Sequence, residues 1–256
     1  MIYNFFKYLI WYIKFPKLFP NFFFQIINKF KNFLFNKKDI HLSKKYKSFL
    51  DNNNITNQTF LIKISQKNYK NFYNSKLYKK IKKRFEKNNY KMGGAGNIDL
   101  LFNISKIKRY KKFLDLGVAA GWSSLSILDG IKKKKSNKLI SNDMPYMFRN
   151  NHDKVGFLIP KELKKKWKLY KMPDRLILNN IFRTYGKFDV CHYDSDKTYY
   201  GRLWSYKLIF KNLRNNGLLI SDDINDNEAF IDFAKMNNKK AYIIKGIKNY
   251  VGVIIK

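Results

Sequence analysis

The stretch Phe113–Ser124, FLDLGVAAGWSS, decides how this chain is read. An apolar run carries Asp115 near its end. Gly117, Ala119, Ala120 and Gly121 then supply low bulk before a helical pattern begins at Trp122 and Ser123. Small residues let a backbone turn sharply and approach a ligand closely. The first N–H groups of the following helix have no partner inside it and face the same place. Such a turn can also be only a way of packing a helix on a sheet, so its meaning depends on what the neighbouring strands supply.

Outward from that turn, strand and helix signals alternate. Upstream, KMGGAGNIDLLFNISKI (91–107) is a glycine cluster leading into an amphipathic helix through Ile98, Leu101, Phe102 and Ile104. Downstream, KLISND, KWKLYKM, FDVCHYD and LLISDD read as strands. WSSLSILDGI, RLILNNIFRTYG (closed by Gly186) and YYGRLWSYKLIFKNLRNNG (ended by Gly217) read as helices. A further helix follows, with Asn225 and Glu228 in capping-box spacing. AYIIKG and YVGVIIK pair as a closing hairpin. Short apolar strands alternating with helices predict an open, mostly parallel α/β sheet covered on both faces. In such sheets the ligand lies outside the carboxyl ends of the strands, at the switch point.

Composition bounds the partners. At 256 residues the chain can bury one substantial core with room for an appendage. A hydrophobic content of 45% and an aromatic content of 18% exclude a disordered class. The formal charge of +35 points to a polyanion, but the excess is nearly all Lys and rises with Asn, Ile, Phe and Tyr, as A/T-rich codons would produce. Nucleic-acid readers favour Arg forks, and the chain has seven Arg and no N-P-P-Y-type base-methylation motif, so nucleic acid is not the expected partner. The single cysteine, Cys191, fits a reducing, cytoplasmic setting and reads as a buried thiol in a strand. His41, His152 and His192 show no zinc spacing, and His192 reads as packed within a strand. Residues 1–90 read as an N-terminal helical extension, and 91–256 as the α/β domain. The first 38 residues are aromatic-rich with Lys as their only charged type; Pro16 and Pro20 break any long helix, and no stretch is apolar enough to span a bilayer. This segment either packs on the body or a second subunit, or lies peripherally on the inner face of a membrane.

The strand ends supply the rest. The second strand of the domain ends in Asn142-Asp143-Met144, with Asp143 28 residues after Asp115. An acid there can accept both hydroxyls of a ribose. The fourth ends in Asp194-Ser195-Asp196-Lys197 and the fifth in Asp222-Asp223. Over about 91–256 the sequence resembles the class I S-adenosylmethionine-dependent methyltransferases. It looks most like the catechol O-methyltransferase-like branch and the related small-molecule and sugar O-methyltransferases. Three blocks carry the resemblance: MGGAGNIDLLF, LDLGVAAGWSS, and DVCHYDSDKTYYG with GLLISDDIND. It implies a Rossmann-like fold with a seven-stranded sheet and a C-terminal hairpin. It also implies S-adenosylmethionine held by Gly94, Asp115, Gly117, Ala119, Gly121, Ser123, Asp143 and Met144.

The resemblance further implies a divalent cation, Mg²⁺ by type, on Asp194, Asp222 and Asp223. Methyl transfer from a sulfonium to a neutral hydroxyl is slow at pH 7, and a cation held by oxygen ligands lowers the hydroxyl's pKa. It also explains how three acids could share one place. Lys197, three residues after Asp194, matches the catechol branch's catalytic Lys, where a neighbouring cation would lower its pKa and make it a base. Related D-G-D-H patterns have Gly at the place of Ser195 and His at that of Lys197. The bland alternatives are that Asp222 and Asp223 prepare a helix start, that Lys197 is solvated, and that Asp196 is a helix cap or a gate. The insert 145–165 flanks the site and brings Arg149 and His152 near a substrate. The expected function is methyl transfer to a hydroxyl of a small molecule or sugar. A polyanion- or membrane-binding protein with a vestigial methyltransferase fold is the second reading, and a homo-oligomer is compatible with both.

Overall fold

A computed structural model describes residues 2–35, 44–64, 69–88, 90, 92–144, 152–246 and 249–256. Its strands are β1 (Asn54–Ile55), β2 (Lys112–Leu116), β3 (Lys138–Asn142), β4 (Trp167–Tyr170), β5 (Phe188–Tyr193), β6 (Leu213–Ser221), β7 (Ala241–Lys245) and β8 (Tyr250–Ile255). They form one sheet in the order β1-β7-β8-β6-β5-β2-β3-β4. β8 runs antiparallel to both β6 and β7, and every other pairing is parallel. The order reverses between β2 and β5, which puts the ends of those two strands side by side at the switch point.

The helices are α1 (Ile2–Lys14), α2 (Phe19–Leu34), α3 (Lys44–Asn52), α4 (Asn57–Lys63), α5 (Lys76–Glu86), α6 (Ile98–Ser105), α7 (Trp122–Ile131), α8 (Asp174–Tyr185), α9 (Tyr199–Lys211) and α10 (Ala229–Met236). Alternation along β2 sends Phe113 to one core, with α4, α6 and α7, and Leu114 and Leu116 to the other, with α8, α9 and α10. Asp115 shares the face of Phe113, and its register partner on β5 is His192. A polar pair therefore sits inside an otherwise apolar layer, directly under the turn.

Four sequence expectations change. The sheet has eight strands rather than seven, because Asn54–Ile55 pairs with Ile243 and Ile244 at the edge of β7. A two-residue strand has no period to read. α9 stops at Lys211, and the next residues join β6: Leu213 is fully buried opposite Phe188, so burial overrides the helical pattern. Asn225 is not the cap of α10. Its Oδ1 accepts from the Tyr250 N–H at 3.0 Å, and Asn227 accepts from the Ala229 N–H at 3.2 Å instead. Pro16 interrupts the arm, whereas Pro20 lies in the first turn of α2, where a missing N–H costs nothing.

The decisive close approach is at Gly117, φ +91°. The Asp194 N–H donates to the Leu116 carbonyl at 2.7 Å, and the Gly117 N–H to the Asn142 carbonyl at 3.0 Å. A Cβ on residue 117 would overlap the Asp194 carbonyl group. Gly117→Ala is expected to lower unfolding free energy by about 3 kcal/mol, from clash plus a left-handed φ. Gly94→Ala, with nothing near its added methyl, should stay within about 0.5 kcal/mol. Urea denaturation of both variants checks this; equal stabilities would mean that the two strand ends are not locked together.

Candidate active site

The turn after β2 is built around a buried acid, Asp115, and a half-buried one, Asp143. Asp115 is fully buried and accepts from Ser123 Oγ at 2.9 Å and Ser124 Oγ at 2.5 Å. Its other oxygen lies 2.7 Å from His192 Nδ1. Asp143 accepts from the Ala119 N–H at 2.5 Å, and Ala119 takes a left-handed φ of +49° to present that group. A non-glycine residue in this region stores backbone strain, which such sites tolerate where it aims a group. Burial pushes the Asp143 carboxyl up to about 7, and the Ala119 N–H only partly opposes it. Asp174, at the start of α8, is likewise pushed up by burial, to about 6, although Asn142 and Ser195 donate to it at 2.8 and 3.0 Å.

His192 is more than a packing residue. Burial works against its charge, but Asp115 on one side and Asp222, 3.7 Å from Nε2 on the other, push its pKa up to about 10. It is an imidazolium at neutral pH, and it neutralises two acids that would otherwise repel. The signal in the sequence was a histidine in the middle of an apolar strand; only the register with Asp115 reveals its partner. Cys191, one residue earlier, points into the opposite core, where burial raises the thiol. That fits the structural role expected for it.

The acids beyond β5 and β6 are arranged differently from the expected three-carboxylate cluster. Lys197 Nζ donates to Asp194 Oδ1 and, at 2.7 Å, to Asp223 Oδ2. Asp222 faces His192 instead, beside Gly96. Among the described residues no group of three His, Cys, Asp or Glu side chains is placed to hold a metal ion. The expected cation site on Asp194, Asp222 and Asp223 therefore does not fit these residues as arranged, since an ammonium already bridges two of them and an imidazolium takes the third. Lys197 also departs from the expected base. Burial favours its neutral form, but Asp194 and Asp223 outweigh it and hold the ammonium well above the ordinary lysine range. Despite its own burial, Asp223 is held below the usual carboxylate range by Lys197 and by Asn249, which donates at 2.6 Å. Its φ of +52° is a second strained position at the site. Asp194 is pushed up by burial to about 6, although Lys197 pulls against the shift.

Two adjoining chambers of about 580 and 600 Å³ meet here. Both are lined by Gly93, Gly117, Ala119, Asp194 and Asp223. The first extends past Asp143, Met144, Asp174 and Lys197, and is walled by Asn21 and Gln25 of α2. The second extends past Gly94, Ser123, His192 and Asp222. The structure thus gathers Gly94, Gly117, Ala119, Ser123, Asp143, Met144, Asp194, Lys197, Asp222 and Asp223 around one continuous space. Asp115 lies beneath the turn and reaches that space through Ser123. Gly121, φ +108°, packs against Gly156, so it is the hinge of the turn rather than part of the lining. Asp196 braces the start of α9 by accepting from the Thr198 N–H at 2.9 Å, while Thr198 itself caps the helix. Arg149 and the side chain of His152 lie outside the described residues. Sequence reading missed Asn249, which arrives from the closing hairpin, and the amides of α2, which come from more than a hundred residues away.

A family model described as a methyltransferase domain matches residues 114–224. No curated protein matches the sequence. Among solved structures, the O-methyltransferase of Bacillus cereus, in complex with SAH, is 12% identical with a TM-score of 0.56, over 78% of this chain and 96% of that one. The SAH-bound methyltransferase PaMTH1 of Podospora anserina is 15% identical with a TM-score of 0.53, over 78% and 96%. The O-methyltransferase TomG of Streptomyces achromogenes, in complex with SAM, is 13% identical with a TM-score of 0.52, over 80% and 96%. Such identities speak for a shared architecture, and the matched segment spans the turn, Asp143, Asp194 and the Asp222–Asp223 pair. Residues 114–224 match a methyltransferase domain, and the chain shares the fold of these methyltransferase structures.

Proposed function

We propose that the chain transfers a methyl group from S-adenosylmethionine to a hydroxyl oxygen of a small acceptor, a sugar or other hydroxylated molecule. The observation that carries this reading is the meeting of the two chambers at Gly117, Asp194 and Asp223. A methyl donor bound there would lie against a carboxylate able to take a proton. Bound there, S-adenosylmethionine supplies a methyl carbon activated by its sulfonium. Ser123, the backbone around Gly117 and Gly94 would hold its amino-acid end in the second chamber. Asp143 and Met144 would hold its nucleoside in the first.

Asp194 is the general base in this scheme. Its ionised carboxylate takes the acceptor's hydroxyl proton as the oxygen–carbon bond forms in line with the breaking carbon–sulfur bond. The Lys197 ammonium, fixed between Asp194 and Asp223, stabilises the charge developing on the acceptor oxygen. It takes the place expected for a divalent cation, and the scheme runs on it. The lone buried thiol of Cys191 favours the cytoplasm as the setting.

Isothermal titration with S-adenosylmethionine should give one site per chain, with affinity unchanged within about twofold by Mg²⁺ or by a chelator; no binding would overturn the reading. The Asp143 carboxylate must be ionised to accept ribose hydroxyls, so affinity should rise with pH through about 7. Titrations in buffers of different protonation enthalpy should show proton release at pH 6. With a methyl-labelled donor and a panel of hydroxylated acceptors, Asp194→Asn should lose at least about 100-fold in turnover and little donor affinity. The base works only when ionised, so the rate should climb with pH through about 6. Removing the cation in Lys197→Met raises the carboxylate's pKa and should move that limb to higher pH.

A further inference from the structure

The arm contains a helix folded inside out. On α2, Asn21, Gln25, Asn28 and Asn32 recur at helical spacing and face the body of the protein. Asn21 Nδ2 donates to the Tyr12 hydroxyl at 3.1 Å and reaches the Met144 sulfur at 3.5 Å. Asn28 Nδ2 donates to Asp196 at 3.4 Å, and its carbonyl oxygen accepts from Arg175 at 3.4 Å. The opposite stripe is apolar and exposed: Phe23, Ile26, Ile27, Phe30, Phe33 and Leu34, from 39% exposed at Ile26 to 81% at Phe33. On α1, Ile10 and Ile13 are also more than half exposed. An ordinary surface helix has the reverse arrangement, and a contiguous apolar face of this kind marks a surface that something covers.

Charge decides between the occupants. The first 38 residues hold seven Lys and no acidic residue. A second copy of the arm would bring lysines against lysines. An anionic lipid surface would meet Lys14, Lys17, Lys29 and Lys31 with opposite charge while its acyl region took the apolar stripe. No described helix is long and apolar enough to cross a membrane, and α2, with 16 residues, spans about 24 Å. That length suits a helix lying in the interface plane. We propose that the outward stripe of α2, with its flanking lysines, docks the protein on an anionic phospholipid bilayer, while the inward amides of the same helix wall the first chamber. The assignment rests on the methyltransferase reading only for the role of that inward face.

The test uses the full chain with large vesicles of phosphatidylcholine, with or without 30% phosphatidylserine, in a co-sedimentation assay. Wild type should partition at least tenfold more strongly onto the anionic vesicles. Phe30→Ser/Phe33→Ser should weaken that partition at least tenfold while S-adenosylmethionine affinity, measured by titration, stays within twofold. Because donor binding is read separately, failure of docking and failure of the proposed activity are distinguishable. Wild type that ignores both vesicles, binds both equally, or matches the double variant would overturn the proposal. So would light scattering that shows a wild-type dimer becoming a vesicle-indifferent monomer in the variant, since the stripe would then be covered by a second copy.

Discussion

The contact on which the rest depends is the one between the ends of β2 and β5, where residue 117 has no side chain and the Asp194 carbonyl fills the space a Cβ would need. The glycine lets the turn after β2 and the Asp194 end of β5 approach each other. Its left-handed φ turns the chain toward Ala119, whose own left-handed φ aims an N–H at Asp143.

Around that contact, charge is arranged in alternating layers. The Asp115 and Asp222 carboxylates enclose the His192 imidazolium below the turn, and the Asp194 and Asp223 carboxylates enclose the Lys197 ammonium at the cavity floor. Burial alone would drive the Asp194 and Asp223 carboxyls to protonate and His192 and Lys197 to deprotonate. Pairing keeps both cations charged. Asp194 is left with a raised pKa, because burial acts on it more strongly than its shared cation does. A carboxylate in that condition is a stronger base than one in water yet is still ionised at neutral pH. The same pairing accounts for the absence of a three-acid metal cluster among the described residues, since each acid has a cation of the chain's own.

The arm extends this economy of contacts. Its small core of Trp11, Tyr12, Leu18 and Phe22 rests against Met144 and Met172, so the segment that exposes an apolar stripe also touches the residues that follow β3 and β4. One helix serves two surfaces of opposite character, amides toward the cavity and aromatics outward. A helical wheel shows that α2 has two faces, but not which one the protein claims.

Much of the domain was legible because its signals are local. The strand period of β2 to β5, the small-residue turn, Asp143 at the next strand end and Gly186 closing α8 each rest on a few consecutive residues. Sterics and hydrogen bonding act on them before any tertiary contact forms. The sequence by itself therefore determined the alternation, the switch-point location and which acids would stand near it. Only the tertiary structure decided what those acids face: Lys197 between Asp194 and Asp223, His192 between Asp115 and Asp222, and Asn249 entering from the last hairpin. It also decided that Asn54–Ile55 would become an eighth strand and that Leu213 would leave α9 for β6. These outcomes turn on long-range register and on competition for burial, and a pKa depends on every charge within reach whatever its place in the chain.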